Sequence, residues 1–111
     1  GPLISAAELA AMKRGAIIVN TARGGIVDET ALADALRSGQ ITAAALDVFD
    51  AEPPAPDHPL LAFDQVILTP HTAGLTREAA ERMAIASVQN VLDHFAGRLD
   101  PALVVNRDAL K

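Results

Sequence analysis

Three polar side chains stand just past the ends of three apolar runs: Arg23 after residues 16–20, Glu52 after residues 41–49, and His71 after residues 66–69. A guanidinium binds a carboxylate in a planar, two-pronged way. An imidazole titrates near operating pH and is the usual general acid–base, and a carboxylate beside it orients the ring and favours its charged form. Together the three would make an acid–base site for an anionic substrate. The condition is positional. If the runs are neighbouring parallel strands, all three side chains leave one edge of the sheet, the edge outside the carboxyl ends where open α/β sheets bind ligands. Parallel strands lie about 4.8 Å apart, so in sequential order the first and third ends are roughly 10 Å apart, a gap these side chains span.

Each residue alone is a weak indicator. Arg23 sits in Asn20-Thr21-Ala22-Arg23-Gly24-Gly25, where two glycines let the backbone approach a ligand, but the same pair also suits a plain solvated bend. Asp47 and Glu52 flank the end of the second run. Asp47 is expected at the sheet edge with its carboxylate facing the crevice, and Pro53-Pro54 stiffens the loop beyond Glu52; two acidic residues facing water is the competing reading. His71 follows a proline at a strand end. His58, inside a proline-rich loop, and His94, near a helix end, lack that setting and are expected at the surface.

The elements that must position these groups follow from periodicity and punctuation. Ser5 and Glu8 have capping-box spacing with Ile4 and Leu9 as a hydrophobic staple, and Lys13-Arg14-Gly15 supplies a basic last turn and a stop, so a helix is expected over residues 6–14. Residues 16–19 form a continuous apolar run, the pattern of a strand buried on both faces of a parallel sheet. Asp28 is an N-cap with the staple pair Val27 and Leu32, and Ser38-Gly39 closes that helix. Residues 41–49 read as a second strand, rich in alanine and so expected to pack closely under a helix, which completes a βαβ unit. Four prolines between residues 50 and 64 exclude a helical pattern there, and loops of that length are commonly functional. A short strand over 66–69 precedes a helix over 76–96, with Ala84, Val88, Val91, Leu92 and Phe95 on one stripe. At about 30 Å that helix is long enough to cross between domains. Residues 99–106 read as extended chain.

Composition narrows the class. Half of the 111 residues are hydrophobic but only 3% are aromatic, so the core must be Ala, Leu, Ile and Val. No cysteine is present, which removes disulfides, thiolate metal sites and Cys nucleophiles and fits a reducing, cytoplasmic setting. A net charge of −5 with scattered Lys and Arg argues against nucleic acid, no apolar run approaches a membrane span, and no leader-like segment opens the chain. A metal-dependent hydrolase built on His71 and Glu52 lacks further ligands at suitable spacing.

Three segments in this order resemble the D-isomer-specific 2-hydroxyacid dehydrogenases, particularly the phosphoglycerate, glyoxylate and hydroxypyruvate branch: Asn20-Thr21-Ala22-Arg23-Gly24-Gly25-Ile26-Val27-Asp28, Ala45-Leu46-Asp47-Val48-Phe49 with Glu52-Pro53, and Thr69-Pro70-His71-Thr72-Ala73-Gly74. The resemblance implies a fold and a chemistry. The fold is α/β: a partial Rossmann-like parallel sheet of about three strands with flanking helices and one long C-terminal helix. The activity is reversible hydride transfer between a D-2-hydroxy acid and its 2-oxo acid, with NAD or NADP as cofactor. Arg23 would bind the substrate carboxylate, His71 would be the acid–base, and Glu52 its partner. Thr21, Ala22, Arg23, Asp47, His71, Thr72, Ala73 and Gly74 would contact the nicotinamide part of the cofactor. A homodimer is expected. Other members of the superfamily are corepressors that bind a nucleotide and oligomerise without turnover, and that alternative stays open.

No G-x-G-x-x-G occurs in the 111 residues, so the phosphate-binding turn of the family is not among them. Residues 1–75 are therefore expected to be the C-terminal half of a dinucleotide-binding domain, and residues 76–111 a crossing helix and the start of a returning tail. The isolated chain is expected to be inactive and to bind NAD weakly. It is also expected to expose a sheet edge that a second copy, a swap or further sequence must satisfy.

Overall fold

The computed structural model describes residues 1–110, with side chains described through residue 108; Lys111, the last residue of the expected tail, lies outside the described residues. The chain divides into two compact units, Gly1–Ala73 and Gly74–Lys111. In the first, α1 (Ala6–Ala11), β1 (Ala16–Asn20), α2 (Glu29–Arg37), β2 (Ile41–Leu46) and β3 (Val66–Leu68) follow one another, with a 3-10 turn at Pro59–Ala62. The strands form one parallel sheet in the sequential order β1-β2-β3. The architecture is α/β and Rossmann-like, as the sequence predicts.

Both staples close on the core: Leu9, Val27 and Leu32 are buried, and Asp28 caps α2 by accepting the Ala31 N–H at 2.9 Å. Leu32 and Leu36 of α2 join Ile18, Ala44 and Leu46 of the sheet, and the small Ala44 lets helix and sheet pack closely. Burying a side chain such as Leu32 completely is worth about 1.5–3 kcal/mol, so these few contacts carry much of the unit's stability.

Several elements differ from expectation. Helix α1 stops at Ala11 because the Gln40 side-chain amide takes its terminal carbonyls, donating to Leu9 at 3.1 Å and Met12 at 2.8 Å, which leaves Lys13-Arg14-Gly15 as the turn into β1. Strand β1 is not buried on both faces. Ile18 and Asn20 face the core, whereas Ile17 and Val19 are 65% and 66% exposed, and Ile67 of β3 is likewise bare. The helices of this unit cover one face of the sheet only. Strand β2 ends at Leu46; Asp47 still donates its N–H to the Asn20 carbonyl at 3.0 Å, and residues 47–49 are buried beyond the strand. Strand β3 is correspondingly short, ending at Leu68. The proline loop contains the 3-10 turn, started by Pro59 and capped by His58.

The second unit holds α3 (Arg77–Phe95), capped by the Thr76 hydroxyl, which accepts the Ala79 N–H at 3.1 Å. Residues 99–106 are not extended: Asp100 caps a 3-10 turn over Pro101–Leu103, a position where proline needs no N–H partner, and a second 3-10 turn covers Arg107–Leu110. Among the described residues, no helix is long and apolar enough to cross a membrane.

Candidate active site

The register brings the strand ends into line. Asn20 pairs with Leu46 and Leu46 with Leu68, so the segments carrying Arg23, Glu52 and His71 all leave one edge of the sheet, at its carboxyl side. What each segment then does depends on local bonds.

The turn after β1 is built on Asn20. Its side chain is buried, with the amide donating to the Arg23 carbonyl at 3.0 Å and the carbonyl oxygen accepting the Ala22 N–H at 3.1 Å. Thr21, Ala22 and Arg23 are thereby held out into solvent. Gly24 has no room for a side chain, since a Cβ there would lie 1.9 Å from the Phe49 carbonyl oxygen. Gly25 adopts a left-handed φ of +75° and donates its N–H to the Asp50 carboxylate. The Arg23 turn and the Glu52 loop are thus joined at Phe49 and Asp50.

Glu52 and His71 meet. His71 Nδ1 lies 2.8 Å from Glu52 Oε2, and the Phe49 N–H donates to Glu52 Oε1 at 3.0 Å. The His71 bond, then the Phe49 N–H, hold the Glu52 carboxyl below its ordinary 4.5 against a smaller opposing effect of desolvation. With Nδ1–H donated to the carboxylate, Nε2 is the nitrogen left to exchange a proton with a substrate. The ring is 47% exposed. His71 itself has φ +54°, a left-handed conformation costing about 1–3 kcal/mol where the surroundings must enforce it.

Asp47 does the enforcing. It is only 4% exposed, and its carboxylate accepts the Thr69 hydroxyl together with the Thr72 and Ala73 N–H groups, each at 2.8 Å. The Thr69 bond is the largest influence holding this carboxyl below the ordinary 3.8; burial opposes it, and the two N–H groups add to it. Asp47 lines the crevice beside the pair, and its carboxylate is taken up by the Thr69 hydroxyl and the Thr72 and Ala73 N–H groups, which fixes the bend bearing His71.

Arg23 is at the same edge but apart from the pair. Its guanidinium donates to the Ala22 carbonyl at 2.6 Å, and no carboxylate pairs with it among the described residues. Thr72 and Ala73 supply backbone to Asp47, and Gly74 is exposed at the start of the second unit. His94 is exposed, as expected, but His58 is not a surface residue: its ring is 16% exposed and lies 2.9 Å from Glu29 Oε2. Asp50 and Glu29 organise the site without any pattern in the sequence marking them, because they act through bonds formed across long separations.

A cavity of about 230 Å³ opens beside the pair, lined by Asp47, Phe49, Glu52, Pro53, Pro54, Pro70 and His71. The donor set at this edge suits the reacting end of a nicotinamide cofactor: an exposed Thr21 hydroxyl, the solvent-facing Ala22-Arg23 turn and an exposed imidazole. Its phosphates find no glycine-rich cradle in these residues.

Comparison with known proteins agrees with the geometry. Residues 1–73 match the model of the D-isomer specific 2-hydroxyacid dehydrogenase, NAD binding domain. A glyoxylate reductase of Aeropyrum pernix is 52% identical over 109 residues, covering 98% of this chain and 32% of that protein. A D-3-phosphoglycerate dehydrogenase of Archaeoglobus fulgidus is 47% identical over 95 residues, covering 86% and 18%. Among solved structures, a D-isomer specific 2-hydroxyacid dehydrogenase from Xanthobacter autotrophicus Py2, in complex with NADPH and MES, superposes with a TM-score of 0.68 at 46% identity, over 86% of this chain and 38% of that one. The chain spans about a third or less of the length of these curated relatives. An edge built from Arg23, Glu52 and His71, on a sheet and sequence shared this widely, places the chain in the family of D-isomer specific 2-hydroxyacid dehydrogenases, within its NAD-binding domain.

Proposed function

We propose that these residues form the catalytic part of the nucleotide domain in an NAD(P)-dependent D-2-hydroxyacid dehydrogenase that reduces small 2-oxo acids such as glyoxylate, and that α3 and the tail after it lead back towards a substrate domain. The observation that carries the proposal is the 2.8 Å contact between Glu52 and His71 at the carboxyl edge of the sheet. The chemistry a bound nicotinamide supplies is hydride exchange with C2 of the substrate. Everything else falls to side chains. Arg23, exposed and unpaired with any carboxylate among the described residues, clamps the substrate carboxylate and so aligns C2. His71 donates the proton from Nε2 to the 2-oxo oxygen during reduction, or removes the hydroxyl proton during oxidation. Glu52 keeps Nδ1 protonated, fixes the ring plane and balances the imidazolium charge.

The test is oxidation of NADH or NADPH by the full-length protein in the presence of glyoxylate or hydroxypyruvate. Turnover with formation of the 2-hydroxy acid supports the reading. Nucleotide binding without turnover on any 2-oxo acid would favour the non-catalytic, corepressor-like alternative instead. Oligomeric state belongs to the same proposal: the full-length protein is expected to be a homodimer.

A further inference from the structure

A second histidine–carboxylate pair ties the first turn of α2, at Glu29, to the proline loop, at His58. Glu29 uses both carboxylate oxygens: Oε1 accepts the Asp50 N–H at 2.9 Å and Oε2 meets His58 Nε2 at 2.9 Å. Both side chains are largely covered, at 13% and 16% exposed, unlike an ornamental surface pair. The His58 ring has a defined orientation. Its Nδ1 accepts the Leu60 N–H at 3.3 Å, so Nε2 carries the ring proton and donates it to Glu29, while its edge packs on Phe49 with centroids 5.9 Å apart.

The residues this pair grips are the ones that place Glu52. Asp50 is held on two sides, its N–H by Glu29 and its carboxylate by Gly25. Phe49, one residue earlier, provides the N–H that binds Glu52 Oε1. The proline loop leaves the sheet at Asp47 and is anchored again at Leu60, which is completely buried. Between those anchors, Glu29 and His58 are the side chains from outside the loop's first half that fix its course at Asp50. We infer that Glu29 and His58 act as a clasp that positions Glu52 against His71, so that they are positioning residues for the acid–base step although neither touches substrate. This inference rests on the role proposed for Glu52.

The relay makes a kinetic prediction that plain structural support does not. Loosening the clasp lets Glu52 drift from Nδ1, which lowers kcat; the Arg23 turn, although joined to Asp50 through Gly25, keeps two further bonds to Asn20, so KM for the 2-oxo acid is expected to change less than kcat. In the full-length protein, Glu29→Ala is expected to reduce kcat roughly 10- to 100-fold, the scale of a small misplacement of catalytic groups, with KM within about twofold of the parent on the same argument. Glu29→Gln keeps an oxygen for the Asp50 N–H but turns its NH2 towards the His58 Nε2–H, so it is expected to recover only part of that loss. His58→Asn is the second variant: a shorter side chain can still cap the Leu60 N–H but cannot reach Glu29, so it tests the tie even if Glu29→Ala fails to fold. The decisive arm introduces each change into Glu52→Gln. A clasp acting through Glu52 adds little further loss there. A full, additive loss in that background, or an unchanged kcat in the single variants, overturns the inference. A Glu52→Gln enzyme with parental kcat would instead strike at the role of Glu52 itself, and the inference with it, so the two failures are told apart.

Discussion

At the scale of single residues, the site depends on positions where one atom decides the geometry. Gly24 is the sharpest case. Its Cα sits against the backbone of Phe49 and Asp50, and a methyl group would fall at 1.9 Å from a carbonyl oxygen that belongs to the main chain and cannot swing aside. Gly24→Ala is expected to cost on the order of 3 kcal/mol, at the upper end for overpacking, and to depress activity as well, since the contact joins the turn of Arg23 to the loop of Glu52. Chemical denaturation paired with steady-state kinetics checks this. A variant with parental midpoint and rate would show that the two segments are not coupled there.

At the scale of elements, the turn after β3 and the inward bend after β2 are one structure, held by Asp47. Its carboxyl is held below the ordinary 3.8 by Thr69, Ala73 and Thr72, and that of Glu52 below the ordinary 4.5 by His71 and the Phe49 N–H. A depressed carboxyl binds fewer protons folded than unfolded, so its stabilisation is present above the ordinary value and is lost as pH falls through the lower folded one. The melting temperature is therefore expected to drop as pH is lowered below those values, and Asp47→Asn, which gives up the charged acceptor, should start lower and fall less steeply. Equal slopes in parent and variant would contradict the assignment. Much of this element was readable from residue order: the cap at Asp28, the staples, the bounds of β1 and the convergence of three strand ends all follow from local pattern. What was not readable arises across the chain. Gln40 cuts α1 short, Asp47 turns away from solvent, and His58 is drawn off the surface by Glu29, 29 residues earlier. None of these partners leaves a trace in periodicity, which records only the solvent and core faces of an element.

At the scale of the whole molecule, the sheet of the first unit is dressed on one side. Ile17, Val19 and Ile67 stand exposed on the other, and the apolar run of β1 that suggests burial on both faces reflects a requirement these residues alone do not meet. Helix α3 is also without a buried residue, with Val88, Val91, Leu92 and Phe95 all exposed. A chain limited to these 111 residues is expected to self-associate at micromolar concentration, which size-exclusion chromatography with light scattering would register as species heavier than 11.5 kDa. A stable monomer would mean that the bare faces are tolerated in water.

The claim beneath all of this is that His71, held by Glu52, moves the proton while Arg23 holds the acid. The most direct measurement compares kcat for 2-oxo acid reduction in the full-length protein and in His71→Ala. General acid–base catalysis contributes about 10²- to 10⁴-fold, and a fall of that size with substrate and cofactor binding retained is the predicted result. A variant turning over within about twofold of the parent, far outside that range, would contradict the account.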